Sequence, residues 1–279
     1  MSILPCVFSD EVSSDFEEAV RLSREAGALG LELRGRMFGK SITQIDAADV
    51  EQIKGICSKY GVKVAVIGSP VGKCDADNPD ECRQHQKHFD RMVELAHAFD
   101  TELIRAFSLW RPNRDRATDH VRPDLDRYLP QIVEFLGPLV EAAERGGVKY
   151  CLETEGACMV GTCAEARKVM DALGNSPAFG LAWDVNNGLS CGEEPLPYGY
   201  ELIRDRVYHV HVKPNSAGTL ETVGDSSLTY ETVLTTLRDD GYTGWASIEH
   251  WGSPEAMRSG LRQLTPLLNR VNGSDPTKR

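Results

Sequence analysis

The sequence lacks the features that would place it in several common classes. None of its apolar runs reaches the roughly 20 residues of a membrane-spanning helix, and its first residues show no basic stretch followed by a long apolar one. Eight cysteines occur, but no two have the CxxC spacing of a zinc or redox motif. Basic residues are in deficit, with 31 Lys and Arg against 42 Asp and Glu and a net charge of −11. These absences predict a cytoplasmic protein with reduced cysteines and with no membrane or nucleic-acid partner.

A glycine-rich phosphate-binding turn is also missing. Doubly wound nucleotide-binding folds usually carry GxGxxG after their first strand, whereas residues 9–16 here read SDEVSSDF. Ser14, near the end of this turn, and Glu17, just after it, have the spacing of a capping box at the start of a helix. The sequence therefore does not favour a doubly wound sheet.

Eight short β-rich runs are present, separated by amphipathic helical segments. The runs cover residues 3–9, 28–33, 62–68, 102–107, 148–153, 178–183, 206–212 and 244–249. This alternation favours parallel strands with right-handed crossovers, and eight strands close a (β/α)8 TIM barrel. No Pro-, Gly- or Ser-rich linker divides the chain. The sequence predicts an α/β fold with a single barrel domain over residues 1–272 and a loose tail at 273–279.

Four polar residues end consecutive β-rich runs in the second half of the chain: Glu153, Asp184, His211 and Glu249. The C-terminal ends of barrel strands meet at one mouth, so these side chains are predicted to converge. Three carboxylates and one imidazole form an oxygen-rich set, which suits Mn²⁺, Mg²⁺ or Co²⁺ better than a structural zinc. Singly, each residue could instead form an ion pair or cap a helix. Together they predict a divalent-metal site.

Such a site predicts proton transfer next to a carbonyl. A bound metal polarises a hydroxyl–carbonyl pair and acidifies the proton on the carbon, and Glu153 and Glu249 are the candidate acid–base groups. Return of the proton to the other face gives an epimer, and return to the neighbouring carbon gives an isomer. Loss of a β-hydroxyl or an aglycone would make the protein a dehydratase or lyase. A barrel that binds a sugar without turnover is the non-enzymatic alternative.

Further residues near strand ends are candidates for supporting roles. His209 lies two residues before His211 on the same strand face, which predicts a packed histidine behind the ligand. Lys213 continues that face into the loop and is a candidate for holding a substrate oxygen. Arg34 shares a face of the second strand with Glu32, so it could pair with Glu32 or reach substrate.

Two tryptophans follow predicted strands at the barrel mouth. Trp110 and Trp251 could cover the apolar face of a sugar, or could only close the mouth. Trp183 precedes Asp184 and should face the opposite way, towards the helix layer, where it would pack in the core.

The motifs that contain these residues resemble the xylose isomerase-like TIM barrels, specifically the sugar phosphate isomerase/epimerase group. The resemblance rests on LETEG at 152–156, WDVNN at 183–187, HVHVK at 209–213 and GYTGWASIEHW at 241–251. It implies that Glu153, Asp184, His211 and Glu249 occupy the family's metal positions, with Glu153 and Glu249 at its proton-transfer positions. It also implies a small carbohydrate substrate, and such barrels often form homo-oligomers.

The sequence departs from the pattern of the ketose epimerases at three places. Asn187 stands where many of them carry a histidine, and it could still bind a sugar hydroxyl. Met159 lies near the position of a substrate-binding glutamate, for which Glu155 could compensate, and Pro214 replaces an acidic residue. Ketohexose specificity therefore does not transfer, and the group also contains dehydratases and lyases. The absence of a basic clamp favours an unphosphorylated substrate, and related DNA-repair endonucleases need a histidine-rich zinc cluster that seven scattered histidines do not supply.

Overall fold

Eight parallel strands form a closed barrel in chain order. The structure, a computed structural model, describes residues 2–112, 120–250 and 252–273. The strands are Leu4–Phe8 (β1), Gly30–Leu33 (β2), Lys63–Gly68 (β3), Leu103–Ala106 (β4), Lys149–Glu153 (β5), Phe179–Asp184 (β6), Val207–Val212 (β7) and Trp245–Ile248 (β8). Each lies within or next to one of the eight predicted runs, and the predicted (β/α)8 barrel is confirmed.

Helices alternate with the strands. They are Ser9–Val12 (α1), Phe16–Glu25 (α2), Ala47–Tyr60 (α3), Pro79–Ala98 (α4), Leu125–Gly146 (α5), Cys163–Ala172 (α6), Val185–Ser190 (α7), Tyr200–Ile203 (α8), Tyr230–Asp239 (α9) and Pro254–Val271 (α10). The predicted capping box at α2 is wrong, because Asp15 caps this helix by accepting the backbone amide of Glu18. None of the helices in the described ranges combines the length and apolar character that a membrane crossing requires.

The chain divides into two compact units, Met1–Val66 with His209–Arg279, and Ile67–Tyr208. The divisions fall inside β3 and β7. In the first unit β1 pairs with β2 on one side and with β8 on the other, and Phe8 and Tyr230 are fully buried. In the second unit β4 pairs with β3 and β5, and β5 with β6. Trp183 is fully buried there and stacks on Tyr200 of α8, as its predicted core position requires.

Candidate metal centre

Two of the four predicted ligands end neighbouring strands of the second unit. Glu153 is the last residue of β5 and Asp184 the last of β6, and both are almost fully buried. Glu153 Oε2 lies 3.2 Å from Nε of Arg105, so a buried guanidinium partly neutralises this carboxylate. Asp184 Oδ1 accepts the backbone amide of Asn187 at 2.8 Å, which makes Asp184 the N-cap of α7.

The other two predicted ligands belong to the first unit. His211 lies in β7, and Glu249 directly follows β8, with its amide donating to the carbonyl of Val212. Nε2 of His211 lies 3.2 Å from a carboxylate oxygen of Glu32, so Nδ1 is the ring nitrogen that would bind a metal. Glu249 Oε1 is 3.2 Å from Nη1 of Arg34. Its Oε2 is 3.1 Å from Nζ of Lys213.

The four predicted residues share burial and donor chemistry. Glu153, Asp184, His211 and Glu249 are buried at or next to the C-terminal ends of their strands, and each offers a carboxylate oxygen or an imidazole nitrogen that could hold a metal ion. Buried carboxylates are costly unless cations compensate their charge. The donor set of carboxylate oxygens and one imidazole nitrogen is typical of Mn²⁺ and Mg²⁺ sites, so these residues fit a divalent ion of that kind.

The carboxylate of Glu32 contacts both histidines of β7. Its Oε2 lies 3.1 Å from Nε2 of His209 and 3.2 Å from Nε2 of His211, and all three side chains are fully buried. His209 also contacts Ser247 Oγ at 3.0 Å. Burial alone would raise the pKa of Glu32, but the two histidines hold it well below its ordinary value. The ring of His209 contacts that of His211, and its supporting role stays a prediction. The contact of Glu32 with both histidines was not predicted from the sequence.

Arg34 ties together three carboxylates. Besides Glu249, it contacts Asp10 at 3.0 Å and Glu11 at 2.8 Å. Burial raises the pKa of Glu11 to about 7, although the amide of His250 and the charge of Arg34 lower it. Asp10 and Glu11 were not among the residues predicted from the sequence. The available signal was their position directly after β1, at the end of a barrel strand where functional residues gather.

The remaining predicted residues occupy different places. Asn187 donates its side-chain amide to the carbonyl of Thr154 at 2.9 Å, which ties the start of α7 to the end of β5. Trp110 pairs through its backbone with Cys158 and lines a cavity of about 380 Å³ in the second unit. Glu155 Oε2 lies 3.6 Å from Nζ of Lys73, a residue that was not predicted from the sequence. Trp251 lies outside the described residues.

Comparison with known proteins gives many solved structures of the same fold. A 3-keto-D-glucoside 4-epimerase from E. coli is 20% identical, with 96% of this chain and 98% of that chain covered and a TM-score of 0.72. A probable 3-DHS dehydratase from Bacillus anthracis is 16% identical, with 95% and 99% covered and a TM-score of 0.72. A xylose isomerase-like TIM barrel protein from Mycobacterium smegmatis, in complex with magnesium, is 14% identical, with 97% of both chains covered and a TM-score of 0.72. At these identities the likeness shows the fold.

The sequence itself gives the narrower assignment. No curated protein matches it. The family model described as xylose isomerase-like TIM barrel matches residues 20–267, which is most of the chain. With its closed eight-stranded barrel and its buried Glu, Asp, His and Glu at successive strand ends, this chain belongs to the xylose isomerase-like TIM barrel family.

Proposed function

We propose that the protein is a divalent-metal-dependent isomerase or epimerase of a small sugar or keto-sugar. The observation that carries the proposal is that Glu153, Asp184, His211 and Glu249, all buried and all able to bind a metal ion, stand at or next to the C-terminal ends of four successive barrel strands. Mn²⁺ is the first choice of ion, with Mg²⁺ and Co²⁺ as alternatives, and the magnesium complex of the related barrel from Mycobacterium smegmatis supports this class of ion.

A metal held by these four residues would acidify the proton on a carbon next to the substrate carbonyl. Glu153 and Glu249 come from β5 and the end of β8, so they are suited to take a proton from one face and return it to another. Arg105 fixes the Glu153 carboxylate, and Arg34 and Lys213 contact one oxygen each of Glu249. These cations restrict both carboxylates to one orientation, which proton transfer requires.

Five other described residues are proposed to contact substrate, and each has a geometry that limits its role. Lys213 is close enough to Glu249 to donate to an oxygen on the reacting carbon. Trp110 and Glu155 would contact the sugar further from that carbon. Asn187 contacts the carbonyl of Thr154 and Arg34 contacts Asp10, so for these two residues substrate binding is proposed in addition to an internal contact. Trp251 remains a candidate.

A lyase or dehydratase acting on a 3-keto-sugar or cyclitol is the second candidate. The same carboxylates would remove the proton, and the intermediate would then expel a β-hydroxyl or an aglycone instead of being reprotonated. The likeness to a probable dehydratase from Bacillus anthracis, at the same TM-score as the epimerase, supports keeping this candidate.

The test is hydrogen exchange with D₂O, followed by NMR across ketoses, keto-glycosides and inososes in the presence of Mn²⁺. Deuterium in an isomer or epimer supports the first proposal, and an eliminated product supports the second. Glu153→Gln and Glu249→Gln should each lower the exchange rate at least about a hundredfold at saturating metal. Glu134→Gln is the matched control, because Glu134 is exposed on α5.

The same experiment can contradict both candidates. If protein with one equivalent of bound Mn²⁺ exchanges no C–H proton in any compound, and both glutamine variants bind the compounds as the parent does, the barrel binds sugars without turnover.

A further inference from the structure

The loop after β3 holds Lys73 in a fixed backbone position. Three amides beyond β4 donate to carbonyls of this loop: Phe107 to Val71 at 2.8 Å, Leu109 to Gly72 at 2.7 Å and Trp110 to Cys74 at 2.9 Å. The loop and the segment after β4 therefore run side by side, joined by hydrogen bonds. Gly72 has φ +88°, and an added Cβ would lie 2.0 Å from the carbonyl oxygen of Phe107. A glycine is required there for the two segments to approach this closely.

Two aromatic rings lie close to the ammonium group of Lys73. Its Nζ lies 4.1 Å from the ring centroid of Phe107 and 5.4 Å from that of Trp110. Arg105, which contacts Glu153, lies 4.8 Å from the same Phe107 ring. Cation–π attraction at these distances fixes a flexible lysine side chain. Lys73 is thus held next to the residues that support a proposed proton-transfer carboxylate.

Glu155 faces Lys73 without forming a direct hydrogen bond. The Nζ–Oε2 distance is 3.6 Å, and the two side chains are 27% and 25% exposed. Glu155 Oε1 accepts the amide of Ala157 at 3.3 Å, which orients the carboxylate. An ammonium has three donors and a carboxylate has several acceptor sites, so both groups keep hydrogen-bonding capacity towards solvent.

We propose that Lys73 and Glu155 form a clamp for a vicinal diol on the part of the substrate away from the reacting carbon. The inference rests on the proposed function for the reacting end and adds Lys73 as a residue that binds and selects the hydroxyl-bearing substrate. Lys73 donates to one hydroxyl oxygen and Glu155 accepts from its neighbour. Trp110, whose ring centroid lies 5.4 Å from Nζ of Lys73, would cover the C–H face of the same ring.

The charges of the clamp favour a neutral ligand over an anion. A carboxylate or phosphate placed against Lys73 would also face Glu155, whose charge opposes it. A hydroxyl has both a donor and an acceptor and can satisfy either partner. Lys73 is therefore a specificity-determining residue for hydroxyl-bearing substrates.

The test measures binding by calorimetry on the Mn²⁺-loaded protein, with D-fructose, a methyl 3-keto-glucoside and an inosose as neutral probes. D-fructose 6-phosphate is the anionic probe. Lys73→Met keeps the length of the side chain without its charge, and Glu155→Gln keeps its shape. Each substitution should lower the affinity for the neutral probe that binds best at least tenfold. Lys87→Met is the control, because Lys87 is exposed on α4.

A deoxy derivative of the best probe makes the test specific. Removing the hydroxyl that Lys73 binds should abolish the effect of Lys73→Met while the effect of Glu155→Gln persists. The proposal is overturned if no neutral probe binds. It is also overturned if Lys73→Met binds all neutral probes within twofold of the parent affinity, or if that variant loses affinity only for D-fructose 6-phosphate. Binding and proton exchange are measured separately. If both variants weaken binding but the protein exchanges no C–H proton, only the proposed function is contradicted. Exchange activity that is indifferent to both variants would contradict the clamp alone.

Discussion

The carboxylate of Glu32 lies 3.2 Å from Nε2 of His211, and neither side chain is exposed. A carboxylate in this position fixes both the tautomer and the orientation of the imidazole, with Nε2 donating and Nδ1 available as a ligand. Since Glu32 is on β2 and His211 on β7, the orientation of one candidate ligand depends on a strand far away in the sequence. Residues that contact the proposed metal ligands are therefore included in the proposed site.

Replacing Glu32 should weaken metal binding without removing a ligand. Glu32→Gln keeps the size of the side chain but loses the charge that orients both histidines, so we expect Mn²⁺ affinity to fall about 10- to 100-fold. Competition with a chelating dye measures the affinity. Glu51→Gln, an exposed change on α3, should leave it unaltered. Equal affinities in the two variants would show that Glu32 has only a packing role.

Removing divalent ions should lower the thermal stability of the protein. Without a cation, the buried carboxylates of Glu153, Asp184 and Glu249 would lack the compensating charge of the proposed ion. Metal at a hundred times its Kd should restore about 2.7 kcal/mol of unfolding free energy. The measurement is the melting temperature with EDTA and then with excess Mn²⁺. The Asp184→Asn variant should show a much smaller difference, and a parent protein indifferent to EDTA would refute the metal site.

Gly72→Ala should destabilise the protein by about 3 kcal/mol or more. Its φ is +88°, and the added methyl carbon would lie 2.0 Å from the Phe107 carbonyl oxygen, so the backbone must move. Gly39→Ala is the matched control, since Gly39 has φ +79° and no atom within 4 Å of an added Cβ. That change should cost only about 1 kcal/mol. Denaturant unfolding gives both values, and similar costs would contradict the close approach of the two segments.

Glu11 should make stability fall as the pH rises from about 4.5 to about 7. Burial raises its pKa from 4.5 to about 7. The folded protein then binds this proton more tightly than the unfolded chain, so its stabilising contribution is present below about pH 4.5 and is lost by pH 7. The loss is at most roughly 3 kcal/mol. Unfolding free energies between pH 5 and 7.5 should decline less in Glu11→Gln, and identical slopes would contradict the shift.

The barrel and the four candidate ligands were accessible from the sequence because they depend on local patterns. A β-rich run that ends in Glu153 or Asp184 has a short-range signature, and the closed parallel topology brings the ends of such runs together. The capping error at α2 has a local cause as well. Ser14 and Asp15 are both good N-cap residues, and sequence spacing alone cannot choose between neighbours.

The supporting contacts were not accessible because they join distant parts of the chain. Glu32 meets His209 and His211 across 177 and 179 residues. The partnership of Lys73 with Phe107 depends on two loops pairing beyond their strands. Neither relationship leaves a periodic trace in the sequence. An ion pair of Arg34 with Glu32 was one predicted option. Its contacts with Asp10 and Glu11 depend instead on how the short α1 follows β1.

Metal binding at Asp184 could be followed by NMR in the absence of substrate. One of its oxygens accepts the backbone amide of Asn187, so the carboxylate proposed to bind a cation also anchors the first turn of α7. An ion that immobilises this carboxylate should slow deuterium exchange at the Asn187 amide and shift its NMR resonance. The signal of this one backbone amide would then report whether the proposed centre is occupied.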